Sequence, residues 1–465
     1  MQIIEQWTGG QADALRQALR MTLERFAERV EMSPRQVANW RKQPDIVPRP
    51  FVQQALDSML ESADDRVKAQ FALLVGETHR EHSGNANGIP SDPFEIPFDA
   101  MTKHEWNRDD ASALSQSFDS ALARGAVDEI ERLSHMWLLS EAPQVIELGA
   151  GRRVSDDLVS TVERRVIQLR RADDYITGAT SHDLMRTELA ATVQLLSEAA
   201  LSEEQARRLL VSVGEMAQLG AWVAADTGEL DQAARYVRGG VMAARAGRDY
   251  ALAGNIISTF SYQVANNGNP NDAAVLAQTA YQGGRNDATP VTRALLLERV
   301  AWAAARSGDL RNCERTLGLV EDSFAAGPRD NDPDWVYWLN REEIDVMAGR
   351  CYTELGRPAQ AEQLLSSAIG RYDQTLIREN SLYLSWLAED YVQLGEVEHA
   401  AGMATRMAIL AGRTNSARAD MRLHFLAERL EPYGANATVA DFFDAYRAAT
   451  VSEPRPSGNS SPEVS

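Results

Sequence analysis

A chain of 465 residues is long enough for about three domains at roughly 150 residues each, so a sizeable core is available. Sixty-seven Asp and Glu against 47 Lys and Arg give a net charge of -20, which excludes general adhesion to nucleic acid or membranes; any DNA contact must be a local exception. Apolar residues make up 44% of the chain and alternating Val/Ile/Thr runs are nearly absent, so an all-α fold is expected.

The start MQIIEQWTGGQADAL has no basic stretch followed by an apolar run, and no segment approaches the roughly 18 apolar residues that span a bilayer. A cytoplasmic protein with no membrane partner is expected. Cys313 and Cys351 are the only cysteines and cannot build a disulfide framework or a thiolate metal cage.

The first distinctive segment is FAERVEMSPRQVANWRKQ, residues 26–43. Thr22 can cap one helix, with Met21 and Phe26 as its hydrophobic staple. The next helix repeats the device. Ser33 stands at N-cap, Pro34 at the first helical position, Gln36 closes an S-x-x-Q capping box, and Met32 faces Val37. Ala27 is small where the two helices cross, while Val30, Val37 and Trp40 supply the contacts that fix their angle.

These residues resemble the bacterial repressor-type, lambda-repressor-like helix-turn-helix family, with Leu15–Arg20 as the preceding helix and Phe51–Leu60 as the following one. The resemblance covers residues 1–75 as a DNA-binding domain. It implies that the second helix of the motif enters the major groove of double-stranded DNA. Ser33, Arg35, Gln36, Asn39, Arg41 and Lys42 are then the DNA-binding residues, the first few near base edges and Arg41 and Lys42 near phosphates. Local charge agrees: from Ser33 to Pro50, four basic residues less Asp45 give +3, leaving -23 for the rest. The family's usual turn Gly is Glu31 here, and its phosphate-contacting Gln at the start of the first motif helix is absent. The same segment could instead dock protein, and both readings remain open.

Residues 76–105 read as a flexible linker, since the first 25 of them carry three Gly and three Pro and no apolar period. His79 and His82 within it lack further ligands, so no metal site is expected. Residues 106–200 read as a helical region joining to a set of repeats, with RRADDYITGATSHDL as a loop and ELGAGRR as a turn.

The repeats occupy residues 201–450. Gly228, Gly268, Gly308, Gly356 and Gly395 stand 40, 40, 48 and 39 residues apart. Five residues after each comes a small residue (Ala233, Ala273, Cys313, Ala361, Ala400), and seven before each another (Ala221, Ser261, Ala301, Gly349, Ala388). Small residues at those two offsets let the helices on either side of the glycine approach closely, so each unit is a helical hairpin. Hairpins of this kind bury their apolar faces by stacking into an α-solenoid with one concave wall. The offsets look like tetratricopeptide repeats with a longer period. AAGPRDNDPDW is the longest insertion, DFFDAYRAA can cap the stack, and residues 451–465 read as a disordered tail.

In tetratricopeptide repeats the residue six before the turn glycine faces the inner groove; here it is Trp222, Tyr262, Trp302, Arg350 or Glu389. Asn255 and Asn266 are expected on the same wall, and the ligand-binding set is Trp222, Asn255, Tyr262, Asn266, Trp302 and Arg350. The aromatics could equally be packing against neighbouring helices. The acidic body suggests a ligand with some positive charge.

No catalytic motif is present, so no catalytic residue, no cofactor and no enzyme activity is expected. A helix-turn-helix head on a repeat body resembles bacterial one-component regulators, including the peptide-pheromone receptors of Gram-positive bacteria. That resemblance implies a cytoplasmic transcriptional regulator that senses a peptide, small ligand or protein partner and acts as a homodimer. The alternative is a protein-interaction scaffold.

Overall fold

The computed structural model describes residues 7–19, 21, 23–30, 32–33, 37, 40, 46–48, 50–61, 67, 71, 105–122, 125–145, 148, 151–173, 179–226, 228–414 and 416–450. Among them are nineteen α-helices and four two-residue strands, so the fold is all-α. The chain divides into two compact units, Met1–Pro93 and Phe94–Ser465.

In the first unit, helices α1 (Gly9–Ala18), α2 (Leu23–Arg29) and α3 (Pro50–Glu61) surround a core of Leu15, Phe26, Val30, Val52 and Leu56. Ala27, Val37 and Trp40 are buried in that core. The corner itself is tied by Met32 N–H donating to the Ala27 carbonyl at 2.9 Å and Val37 N–H to the Ser33 carbonyl at 3.2 Å. Trp7 closes the unit, donating its ring N–H to Asp57 at 2.7 Å and packing 5.4 Å from Phe71. Thr22, Glu31, Pro34 and Gln36, on which the capping expectations rest, lie outside the described residues.

The second unit opens with α4 (Arg108–Asp119), α5 (Ala126–Leu139), α6 (Asp156–Asp173) and α7 (Ala179–Glu198). Asn107 starts α4 with a complete capping box, exchanging hydrogen bonds with Asp109 and Asp110. Arg170–Asp173 is helical and so is Ala179–Leu184, so the expected loop at 170–184 is much shorter: 174–178 alone lie outside the described residues. The turn at ELGAGRR holds Gly151 at φ +111, after which Arg152–Arg153 pairs in parallel with Ala199–Ala200.

Five hairpins follow: α8 (Glu203–Asp226) with α9 (Leu230–Ala246), α10 (Tyr250–Asn267) with α11 (Pro270–Gly284), α12 (Pro290–Arg306) with α13 (Leu310–Ala325), α14 (Arg341–Glu354) with α15 (Pro358–Arg371), and α16 (Ile377–Leu394) with α17 (Val397–Ala411). Their starts are written locally, with Asp249, Asn269, Thr289, Asp309 and Asn340 each accepting a first-turn N–H. Gly228, Gly308, Gly356 and Gly395 take φ between +66 and +83, the left-handed conformation that favours glycine. Gly268 does not need it, since Asn269 and Pro270 begin the next helix at once.

All ten small residues at the two offsets are buried. They meet as expected: the Ser261 hydroxyl donates to the Ala273 carbonyl at 2.9 Å, and a Cβ on Gly349 would stand 3.4 Å from the Ala361 carbonyl and closer still to Leu365. After the hairpins, α18 (Ala417–Leu430) packs on α16, and α19 (Ala437–Thr450) covers α17.

Helices α4 and α5 do more than join. They lie against the second helices of the first two hairpins, where Phe118 fills the space left open by Gly239 and Trp137 the space left open by Gly283. Arg238, 1% exposed, fixes the contact by donating to Glu129 at 2.7 Å and to the carbonyls of Ser117 and Ser120. Residues 76–104 of the expected linker, His79 and His82 among them, and the expected tail 451–465 lie outside the described residues.

Candidate ligand cavity in the repeat body

The position six residues before each turn glycine lies toward the C-terminal end of the first helix of its hairpin, facing inward. Trp222, Tyr262, Trp302, Arg350 and Glu389 all line one cavity of about 800 Å³, and so do Asn255 and Asn266. The whole expected ligand-binding set is therefore brought together. Of the expected DNA-binding set, Ser33 is exposed, while Arg35, Gln36, Asn39, Arg41 and Lys42 lie outside the described residues.

The aromatics form a continuous series. Trp222 stacks on Tyr262 at 6.0 Å, Tyr262 tilts against Trp302 at 6.4 Å, and Trp302 meets Trp386 edge-on at 5.6 Å. Asn266 accepts the ring N–H of Trp302 at 3.0 Å and so is occupied in orienting it. Trp302 is 1% exposed, hence mostly core, although its edge borders the cavity.

Guanidinium groups take the aromatic faces. Arg350 lies 4.4 Å from the Trp302 centroid, 4.9 Å from Trp386 and 5.5 Å from Tyr262. Arg299 lies 4.6 Å from Tyr262 on its own account and 5.8 Å from Trp338. Arg418 sits over Trp222 at 4.6 Å and Arg422 over Trp386 at 3.8 Å. A ring face offers a buried cation electrostatic stabilisation without consuming its N–H donors.

Two of these cations, and two others lining the cavity, also have carboxylate partners. Arg306 pairs with Glu354 at 2.7 Å, Arg422 with Glu389 at 2.7 Å, Arg170 with Glu215 at 3.0 Å, and Arg418 with Asp226. Glu389 is thus spoken for by Arg422. Among the described residues, no carboxylate forms an ion pair with Arg299 or Arg350, which are 7% and 8% exposed, and the Arg350 Nε has no hydrogen-bond partner.

The nearby acids do not cancel this charge. Burial pushes the Glu298 carboxyl up to about 8, against the opposing pull of Arg299, so it is mostly neutral at pH 7. Glu343, also raised by burial, is held by the hydroxyls of Tyr372 and Tyr383, the latter at 2.7 Å. Tyr262 registers the resulting field: burial raises its phenol, but Arg350, Arg418 and Arg299 outweigh that and bring it down to about 8.

Several cavity residues were not singled out in the sequence. Leu219, Thr259, Arg299, Met347 and Trp386 stand nine residues before their glycines, one helical turn back from the expected row, and all five line the cavity. Extending the same register by three residues finds them. Trp335 and Trp338 come instead from the insertion before the fourth hairpin, which carries no periodic signal.

Ion pairs link early elements of this unit to late ones. Arg418 of α18 donates to Asp226 at the end of α8, Arg378 of α16 lies 3.8 Å from Asp173 of α6, and Arg171 of α6 donates to Asp334 of the insertion at 2.9 Å. No helix is long and apolar enough to cross a membrane, and no cluster of three or more His, Cys, Asp or Glu that could hold a metal occurs, among the described residues. No protein-family model matches this chain, and no curated protein matches it significantly.

Proposed function

We propose that this chain is a cytoplasmic, sequence-specific DNA-binding transcriptional regulator, working as a homodimer, whose repeat body senses a ligand. The observation that carries this reading is the convergence of the inward row on one cavity of about 800 Å³, within the roughly 300–1,000 Å³ of small-molecule sites. A repeat body serving only as a scaffold has no need for a cavity with buried, unpaired cations. The buried Ala27, Val37 and Trp40 support a helix-turn-helix in the head, and the local +3 charge supports DNA as its target.

Selection of genomic fragments by the purified protein tests the reading. A recurrent motif is expected, with Arg35→Ala relaxing preference at one or two base positions. Lys42→Ala should weaken all sequences alike and lower the salt dependence. Equal binding to selected and random DNA, unchanged in both variants, would leave the head as a protein-docking module.

A further inference from the structure

Resting on the reading of the repeat body as a ligand sensor, we infer that the cavity binds an organic oxyanion, a carboxylate or phosphoryl group, on the paired guanidiniums of Arg299 and Arg350. Both side chains are more than nine-tenths buried, both line the cavity, and no carboxylate among the described residues pairs with either. Aromatic rings hold them in place: Tyr262 lies beneath both, with Trp338 beside Arg299 and Trp302 beside Arg350. Stacking fixes each planar group while leaving its edge donors for a ligand, and a guanidinium edge matches the geometry of an oxyanion.

The neighbouring arginines are built differently. Arg306, Arg418 and Arg422, each only partly buried, are each neutralised by a carboxylate from the fold, whereas the more deeply buried Arg299 and Arg350 are not. Leaving two like charges unpaired in one buried place is unfavourable in the empty protein and becomes favourable once an anion arrives. Glu298 fits this role because its carboxyl, mostly neutral and with Oε1 unpartnered, adds little competing charge and can donate a hydrogen bond. The aromatic series is then a mount for cations, which reconciles its burial with its place on the cavity wall.

The test is calorimetric titration of the full-length protein with sodium phosphate, phenyl phosphate and sodium benzoate, and with choline chloride as a cation of similar size. Saturable binding of at least one oxyanion is expected, with no saturable binding of choline. Phosphoryl probes binding without benzoate assign a phosphorylated ligand, and the reverse assigns a carboxylate. Arg299→Gln and Arg350→Gln should each weaken the bound probe about tenfold or more, with folding checked by circular dichroism. Should either variant fail to fold, the wild type still reports: a bound anion should raise the pH at which Tyr262 ionises, a transition identified by its loss in Tyr262→Phe. Failure of all three anions to saturate, binding of choline at comparable affinity, or full affinity in both folded variants would overturn the proposal. Anion binding that leaves DNA affinity unchanged would keep the site and remove the regulator reading instead.

Discussion

Trp302 has contacts of both kinds that its position allows. Its ring N–H is held by Asn266, one face carries Arg350, and almost none of its surface meets solvent. Trp302→Ala should therefore lower stability by about 3–5 kcal/mol, the usual effect of deleting a buried Trp, and should also weaken anion binding because Arg350 loses its mount. A small melting shift together with lost binding would instead identify a ring whose main partner is the ligand. Two buried acids make a separate prediction. Burial raises Glu298 from 4.5, and Asp390 from 3.8, each to about 8. The unfolded chain releases these protons between about pH 4 and 5 while the folded chain keeps them until about 8, so the native state binds more protons across that window. Stability must then fall as pH rises through it, by up to about 1.4 kcal/mol per pH unit per group. Denaturant titrations of Glu298→Gln and Asp390→Asn should show a flatter pH dependence than the wild type. An unchanged slope in both would mean that neither group keeps its proton.

At the scale of elements, the hairpin is the unit the sequence spells out. A glycine that turns, a small residue seven before and another five after are local features, and close approach of the two helices of each hairpin uses those positions, with further glycines such as Gly240 and Gly254 adding to it in the first two. The same register places the inner row, so Trp222, Tyr262, Trp302 and Arg350 were legible as cavity residues. The docking of α4 and α5 was not, because it depends on matching a large residue to a gap more than a hundred positions away. Phe118 against Gly239 and Trp137 against Gly283 have no periodic trace. Total charge could not point to Arg299 and Arg350 for a related reason: -20 is a sum over the whole chain, whereas those two meet the Tyr262 ring only after folding. Gly239→Ala tests the docking, since the added methyl would sit inside the Phe118 ring's contact distance. The variant should lose about 1–3 kcal/mol, the usual range for overpacking, whereas Gly402→Ala, inside α17 with open space around it, should gain about 0.4–1 kcal/mol. Equal effects at the two positions would show that α4 is not seated on α9.

Within the second unit as a whole, ion pairs join its early helices to its late ones. Arg418 with Asp226 and Arg378 with Asp173 draw the last two first-layer helices, α18 and α16, to α8 and α6, and Arg171 ties the insertion to the same side. The links differ in strength. Arg171 is substantially exposed and its pair with Asp334 is worth under about 1 kcal/mol in water, while the Arg378 and Asp173 side chains are both largely enclosed, so breaking that pair removes one of the two carboxylates beside a buried cation, Glu379 remaining at 2.8 Å. If the oxyanion enters through this seam, Asp334→Asn should speed both entry and release of a bound probe, followed in stopped flow by tryptophan fluorescence, with the equilibrium affinity little changed. Asp173→Asn should speed release more and lower stability as well. Rates unchanged in both variants would mean that the ligand passes elsewhere, and that the seam serves only to hold the ring of repeats closed. Linkage extends the same measurement to DNA: an anion that shifts operator affinity by some factor must find its own affinity shifted by that factor when operator is bound. Anion affinities measured with and without operator should therefore differ if the cavity regulates the head, and Arg350→Gln should remove that difference.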